Sequence, residues 1–494
     1  MSPETAAESR AVAAAAAAVA APATLATVLE EISSRERYRG LLWLVAAAFF
    51  MQSLDSTVVN TAVPAMAAAL EVTPLGMRTA LTSYVLTLAI LIPASPWLCD
   101  RLGTRRVFGM AIVVFGLGSL LCGLAQSLPQ LVAARVLQGV GGAALMPVGR
   151  YVLVRSIEKR EFVKAMSTVA TFGLLGSVLG PLLGGALVEF TSWRLIFLIN
   201  VPVAIAGVWR NRRDMPDYRL DHANPFDLSG FLLFAGASAL LLTASELAGS
   251  TPVPWLRIAA CAALAVLLGL TYLWHSRRTP FPVADLSLLR VRSVWVALAG
   301  GLFTRLGISG MFLLLVLFLQ VGCGWSPLMA GLMMVPQALG SICAKWAINR
   351  ALIYLGYRRL LLGNTLIASV LIAMFALLGP TTPMWAIALL VFVYGSCTGL
   401  QYTAMNTLIY HDLDIRHASM ASSMASTAQY LAMSFGIALA TLLMQALLQG
   451  HAHEQYVLAF RWTVLILGAV TAIASRVFSR LPKSGPLSGT VGAR

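Results

Sequence analysis

Long apolar runs, broken by short segments that hold nearly all of the charge, set the pattern of this chain. A bilayer core of about 30 Å takes about 20 apolar residues as a helix. Runs of that kind recur fourteen times, at 41–63, 78–98, 106–126, 130–152, 165–188, 194–210, 227–247, 255–275, 294–320, 327–348, 358–379, 384–408, 419–447 and 457–479. The sixth is weakest at its end, where Trp209 runs into Arg210, Asn211, Arg212 and Arg213. Lipid offers backbone groups no partner, so a spanning segment of this length must satisfy them internally as a helix. The pattern predicts an all-α polytopic membrane protein with fourteen transmembrane helices.

Composition agrees and removes the alternatives. A chain of 494 residues would make about three soluble domains by length. Here hydrophobic residues reach 59% and charged residues only 11%, against about 45–50% and 25% in soluble domains, and mean hydropathy is +0.81. Disorder, coiled coil and a disulfide scaffold are excluded by the same numbers. The six cysteines contain no Cys-x-x-Cys pair and read as small apolar packing residues.

The net charge of +15 changes the picture only through its placement. With the N-terminus in the cytoplasm, 28 of the 35 Lys and Arg fall in inside segments. Four (Arg78, Arg194, Arg257 and Arg461) fall outside, and Arg135, Arg150 and Arg305 lie within spans. That is the positive-inside distribution, not a basic docking face for nucleic acid. It predicts both termini in the cytoplasm and an even helix count. The Ala-rich stretch before residue 40 follows Glu4, Glu8 and Arg10, which fits a cytoplasmic extension better than a signal peptide.

An internal echo divides the chain. Asp100 to Arg106 (DRLGTRR) follows the second span, and Asn349 to Arg359 (NRALIYLGYRR) follows the tenth. Both carry an Arg, then Leu-Gly, one residue and paired Arg. The expected organisation is a cytoplasmic tail at 1–39, a six-helix half at 40–214, an inserted helix pair at 226–275, a second half at 294–480 and a tail at 481–494. Paired halves of this kind bind substrate near the membrane midplane, where the halves meet.

Four motifs stand at particular helices. Between spans 2 and 3 lies PWLCDRLGTRR, in which Asp100 and Arg101 can pair, Gly103 permits a tight turn, and Arg105 and Arg106 lead the next helix. Span 1 contains LDSTVVNTAVP with Asp55, and span 4 contains AARVLQGVGGA with Arg135 and Gln138. Span 5 contains GSVLGPLLGG, whose Gly176, Gly180, Gly184 and Gly185 allow close helix approach and whose Pro181 bends the helix. Together these resemble the major facilitator superfamily, specifically its fourteen-helix drug:proton antiporter branch of the EmrB/QacA type, over about residues 40–479. WRLIFLINVP, FDLSGFLLF and SPLMAGLMMVP resemble the same branch. One departure is Pro96, where the family's loop motif usually begins with Gly.

The resemblance implies the major facilitator fold, two six-helix halves plus two inserted helices, working as a substrate:proton antiporter in an inner membrane. It implies that Asp55 and Arg135 couple protons. Asp100, Arg101, Gly103, Arg105 and Arg106, with the glycines and Pro181 of span 5, would switch conformation, and the two Arg-bearing turns would latch the halves together. On the residues alone, Asp55 is the only carboxylate well inside a span, at an insertion cost of about 2.5–3.5 kcal/mol. Such a group is either a packing contact or a proton site. Arg305, deep in span 9, reads as its counterpart and as a substrate or coupling charge. Arg150, nearer a helix end, reads as snorkelling. Gln52, Asn60, Gln138, Gln337, Gln401 and Asn406 are further cavity candidates, as is Gln429.

No phosphate loop, nucleophile elbow or zinc cluster occurs, so neither enzyme chemistry nor a cofactor is expected. The expected partners are a small organic substrate, protons and the lipid bilayer, with a monomer as the working unit and room for an accessory envelope protein. Multidrug efflux is the leading expectation. Export of an organic anion, a carboxylate or its metal chelate, is the alternative suggested by one buried acid against three buried Arg. A proton-coupled uptake symporter would share the fold.

Overall fold

The structure, a computed structural model, describes residues 25–157, 159–220, 225–249, 253–413, 418–448 and 453–482. Among them, thirteen helices are long and apolar enough to cross a membrane. In the first part of the chain these are α1 (Arg39–Ala69), α2 (Pro74–Leu102), α3 (Thr104–Leu124), α4 (Leu128–Ser156) and α5 (Ala165–Phe190). After α6 come α7 (Leu228–Ala248), α8 (Trp255–Ser276), α9 (Arg292–Gly322) and α10 (Pro327–Ile348). Then follow α11 (Arg350–Leu377), α12 (Met384–Leu408), α13 (Met420–Leu447) and α14 (Tyr456–Phe478).

The predicted sixth span is shorter and more polar, a single turn at Leu195–Leu198 followed by α6 (Asn200–Asp214). It nevertheless runs the full length of α3. Arg194 Nη2 donates to the Ala125 carbonyl at one end of α3 (3.2 Å), and Asn211 Nδ2 donates to the Arg105 carbonyl at the other (3.0 Å). The predicted fourteenth span is therefore a short helix laid alongside α3 and is not among the thirteen long apolar helices.

The helix of α1 begins before its apolar span: Leu25–Ala69 is one helix, of which residues 25–38 fall within the expected N-terminal extension. That stretch is rich in Leu, Glu and Arg and has no Pro or Gly, which favours continuation of the helix. The expected tails at 1–24 and 483–494 lie outside the described residues.

The echo seen in the sequence is a structural repeat. Gly103 between α2 and α3 has φ 89° and ψ 145°, and Gly356 in the second turn has φ 68° and ψ 166°. Both lie in a region open mainly to glycine, so both helix pairs break at the same place in the motif. The face carrying these turns, and most of the Arg, is called the basic face below; the opposite one is the far face.

Within the first half α1 packs along α5, and α3 lies between α4 and α6. In the second half α11 packs on α12 and α14, and α9 packs on α13 and α14. The halves meet through α2 with α13 and α5 with α10. Hydrogen bonds across the interface include Gln320 Nε2 to the Thr61 carbonyl (2.9 Å), Leu328 N to Glu189 Oε2 (3.0 Å) and Arg78 Nη1 to Gln445 Oε1 (3.0 Å). These lie toward the far face, so the interface is closed there. α8 packs on α7 and turns Leu256, Leu267, Leu270 and Trp274 outward, an apolar surface suited to lipid.

Candidate functional site

The polar stretch of α1 survives in an apolar setting because its hydroxyls bond back to their own helix. Ser56 Oγ donates to the Ser53 carbonyl (2.8 Å) and Thr61 Oγ1 to the Val58 carbonyl (2.9 Å). That leaves Asp55 as the group that must find a partner elsewhere. It is fully buried. Arg135 Nη1 of α4, itself 2% exposed, reaches Asp55 Oδ2 at 2.8 Å.

Gln138 lies one turn beyond Arg135 on the same face of α4, as the i, i+3 spacing dictates. Its Nε2 donates to Asp55 Oδ1 (2.8 Å) while its Oε1 accepts from Arg135 Nη1 (2.7 Å). Asn200 Nδ2, at the start of α6, lies 3.4 Å from Asp55 Oδ1 and donates to Ser119 Oγ of α3 at 3.0 Å. Ser119 in turn donates to the Phe197 carbonyl (2.9 Å). The Arg135 guanidinium lies over the Tyr84 ring at 4.1 Å, and its Nε donates to the Ala80 carbonyl of α2 at 3.4 Å. Five helices of one half therefore converge on a single ion pair. Removing one member of such a pair strands the other and costs about 3–5 kcal/mol.

Gln52 lies one turn from Asp55 toward the basic face and is buried beside the Tyr84 hydroxyl. Asn60 stays local, its Nδ2 donating to the Ser56 carbonyl at 3.2 Å.

Arg305 is not the counterpart of Asp55. The acid is already taken by Arg135 of its own half, and Arg305, 8% exposed, belongs to a separate cluster in the other half. Its Nη2 donates to Gln429 Oε1 of α13 (3.1 Å), and its guanidinium lies 5.0 Å from the centre of the Tyr402 ring. Among the described residues no carboxylate pairs with it.

Gln401 is a packing residue, not a cavity residue. It is fully buried, accepts from Asn364 Nδ2 and donates to Thr365 Oγ1, both at 2.8 Å. Gln337 is half-buried on α10, and Asn406 is exposed near the basic end of α12, apart from the others. Arg150 is exposed and lies 5.5 Å from the centre of the Phe49 ring.

The span-5 glycines work as expected of close-packing positions. A Cβ on Gly180 would overlap Thr57 Oγ1, and one on Gly185 would overlap the Pro327 carbonyl of the second half. The same helix thus presses on the Asp55-bearing helix and on the partner half. The first Arg-bearing turn, among the described residues, is tied within its own half. Thr104 N donates to the Tyr218 carbonyl (3.1 Å), Arg105 Nε to the Met215 carbonyl (2.6 Å), and Leu220 N to the Asp100 carbonyl (3.1 Å). These contacts join the turn to the segment after α6 of its own half. Arg101 lies over Trp97, 5.4 Å from the ring centre.

Sequence reasoning does not single out Asn200 or Ser119 as site residues. A polar residue at the start of a weak span, and a Ser opposite a Gln, carry no local signal; only the packing of α3, α4 and α6 brings them to Asp55.

Two helical halves that meet along a seam, with an ion pair sealed inside one of them, define a polytopic membrane transporter. The Major Facilitator Superfamily profile matches residues 45–437, and the chain belongs to that superfamily. Similar relatives carry the name "Putative multidrug resistance protein MdtD". The one from Pectobacterium carotovorum subsp. carotovorum (strain PC1) is 39% identical over 447 residues, covering 90% of this chain and 96% of that protein. The one from Klebsiella pneumoniae (strain 342) is 40% identical over 449 residues, covering 90% and 95%. Among solved structures, an auto-inhibited POT family peptide transporter superposes with a TM-score of 0.66 at 15% identity, covering 92% of this chain and 99% of the other. A bacterial homologue of the human lysosomal transporter Spinster gives 0.62 at 13%, covering 88% and 95%. These two establish the shared fold.

Proposed function

We propose that the protein is a multidrug-type exporter that drives small organic molecules out of the cytoplasm by exchange with protons. In this reading the basic face is cytoplasmic, both termini lie inside, and the membrane is a bacterial inner membrane, as the distribution of Lys and Arg supports. The observation that carries it is the Asp55–Arg135 pair, a fully buried carboxylate at 2.8 Å from a buried guanidinium.

A proton arriving at Asp55 cancels the charge that holds Arg135. The guanidinium then has only Gln138 and the Ala80 carbonyl nearby, with the Tyr84 ring below it. A buried cation that has lost its counterion favours any arrangement that rehydrates or re-pairs it. Because α1 is pressed against α5, and α5 against α10, displacement at Asp55 is transmitted to the seam between the halves. One charge moving through 100 mV releases about 2.3 kcal/mol, which at about 1.36 kcal/mol per tenfold supports roughly a fifty-fold gradient. No nucleotide enters the cycle.

A second reading concerns the cargo. Arg305, buried beside Gln429 and Tyr402 and with no carboxylate partner among the described residues, favours an organic anion over a cation at that cluster. Everted vesicles energised by a pH gradient test both readings. Cargo accumulation should collapse when the gradient is dissipated and should fail in Asp55→Asn. Accumulation that survives dissipation, or that needs ATP, would overturn the exchange mechanism. The preferred cargo charge follows from offering cationic, neutral and anionic probes in turn.

A further inference from the structure

The inserted pair α7–α8 has no place in a simple two-half scheme, yet α7 lies along the seam that such a scheme must open. Leu86 of α2, Leu242 of α7 and Ala438 of α13 form one apolar cluster, with Ile90, Leu431 and Phe435 packed around it. Three elements meet there: the first half, the insert and the second half.

Toward the far face this packing becomes a polar junction centred on Arg78, which is 5% exposed. Arg78 Nε donates to Glu246 Oε2 of α7 (2.9 Å), and Nη2 to the Glu246 carbonyl (3.1 Å). Its third nitrogen, Nη1, donates to Gln445 Oε1 of α13 (3.0 Å). Gln445 Nε2 completes the triangle by donating to the Gly249 carbonyl at the end of α7 (2.5 Å). Thr79 Oγ1 also donates to Glu246 Oε2 (3.0 Å). Gly249 is required here, because a Cβ on it would overlap the Arg78 guanidinium.

The attachments of α7 are unequal. It is tied to α2 at both ends, through Glu246 at the far face and through Phe226, whose ring lies 4.7 Å from that of Trp97, near the basic face. Its described polar ties to the second half are confined to Gln445. A charged pair reinforced by the Thr79 hydroxyl holds it to α2, whereas its packing on α13 is reinforced by one hydrogen bond from a neutral amide. Hydrogen bonds between charged groups are about twice as strong as those between neutral ones.

We propose that the inserted pair is the movable strap of the far-face gate: it travels with the first half, and the Arg78–Gln445–Gly249 contacts are the catch that must release each time the transporter opens to the far side. This rests on the alternating-access reading above, and it assigns Arg78 and Gln445 as positioning residues rather than groups that touch cargo.

The test uses purified full-length protein with its six native cysteines replaced. Spin labels are placed on exposed positions Thr243 of α7, Leu447 of α13 and Leu124 of α3. Driving the protein through its cycle with an imposed pH gradient should lengthen the Thr243–Leu447 distance and leave Thr243–Leu124 unchanged. Gln445→Leu, which removes both amide contacts at similar volume, should shift the closed-to-open ratio about fivefold or more toward open without any gradient. Gln445→Ala should do the same and leaves the Arg78–Glu246 pair in place, so the result does not depend on one variant folding. An insert that moves with α13, or distance distributions identical to wild type in both folded variants, would overturn the proposal. Loss of proton coupling in Asp55→Asn is read separately, so failure of the strap and failure of proton exchange are distinguishable.

Discussion

The two halves share a turn motif but treat their buried arginines in opposite ways. In the first, Arg135 faces a carboxylate at 2.8 Å and is enclosed by Gln138, Tyr84 and α2. In the second, Arg305 has a glutamine and an aromatic face but no acid among the described residues. A paired buried charge can change its state only when its partner is titrated. An unpaired one is left with capacity for a ligand. In the proposed reading the halves divide the labour, with proton handling in the first and charge recognition in the second.

The largest expected effect breaks the pair. Arg135→Met leaves the Asp55 carboxylate buried alone and should cost about 3–5 kcal/mol, read as a large fall in the thermal midpoint in detergent. Adding Asp55→Asn to the same chain should restore most of the midpoint, because no charge then remains unmatched. Transport driven by pH should stay lost in both. If the double variant is no more stable than Arg135→Met, the ion pair is not what holds the five helices together.

A smaller effect is expected across the seam. Arg305→Gln removes a charged donor worth about 1.5–3 kcal/mol to an anion. It should raise the half-saturating concentration of anionic cargo about tenfold or more while leaving proton movement per cargo intact. A loss of proton coupling in that variant would erase the proposed division of labour.

The shared turn provides the next comparison. Gly103→Ala and Gly356→Ala each force a side chain into positive φ, at about 1–2 kcal/mol. The Cβ of Gly103→Ala would also meet the Asp217 carboxylate, an exposed side chain that can move aside. Thermal midpoints of the two variants, compared with wild type, check the repeat directly.

The smallest effect is a pH dependence beside the second turn, where the Tyr357 ring lies 5.3 Å from that of His411. Partial burial pushes the Asp412 carboxyl up, but its hydrogen bonds, led by that with His411 Nδ1 (2.6 Å), and the nearby His411 ring together outweigh this and hold it below the usual carboxylate range. A carboxyl depressed in the folded state adds stability above its unfolded value, and that stability is lost as pH falls through the folded value. Asp412→Asn should therefore lower the midpoint slightly at neutral pH, with the difference closing below about pH 4. A difference that grows on acidification would reverse the assignment.

Most of the fold was legible in the sequence because lipid enforces it: every span but the sixth follows from apolar length alone. The sixth is recognisable in the structure by what it leans on, which no run of residues reports. In the site, Asp55, Arg135 and Gln138 were legible because charge and amide groups in a membrane demand a reason. Arg305 was legible as unusual, but its partner was misassigned, since helix order does not say which faces meet. Gln401 shows the converse. A buried amide looks like a cavity group until Asn364 and Thr365, on a neighbouring helix, are seen to satisfy it. Arg78 was counted as an outside charge, and only the far-face packing reveals it as a buried junction.

The central claim, that Asp55 couples protons to a cargo step it does not itself perform, is tested most directly in liposomes of purified protein loaded with a pH dye. Wild type should move protons on cargo addition and should also exchange labelled for unlabelled cargo without a gradient. The account predicts that Asp55→Asn retains the exchange and loses the proton movement. Proton movement at the wild-type rate in Asp55→Asn would contradict it.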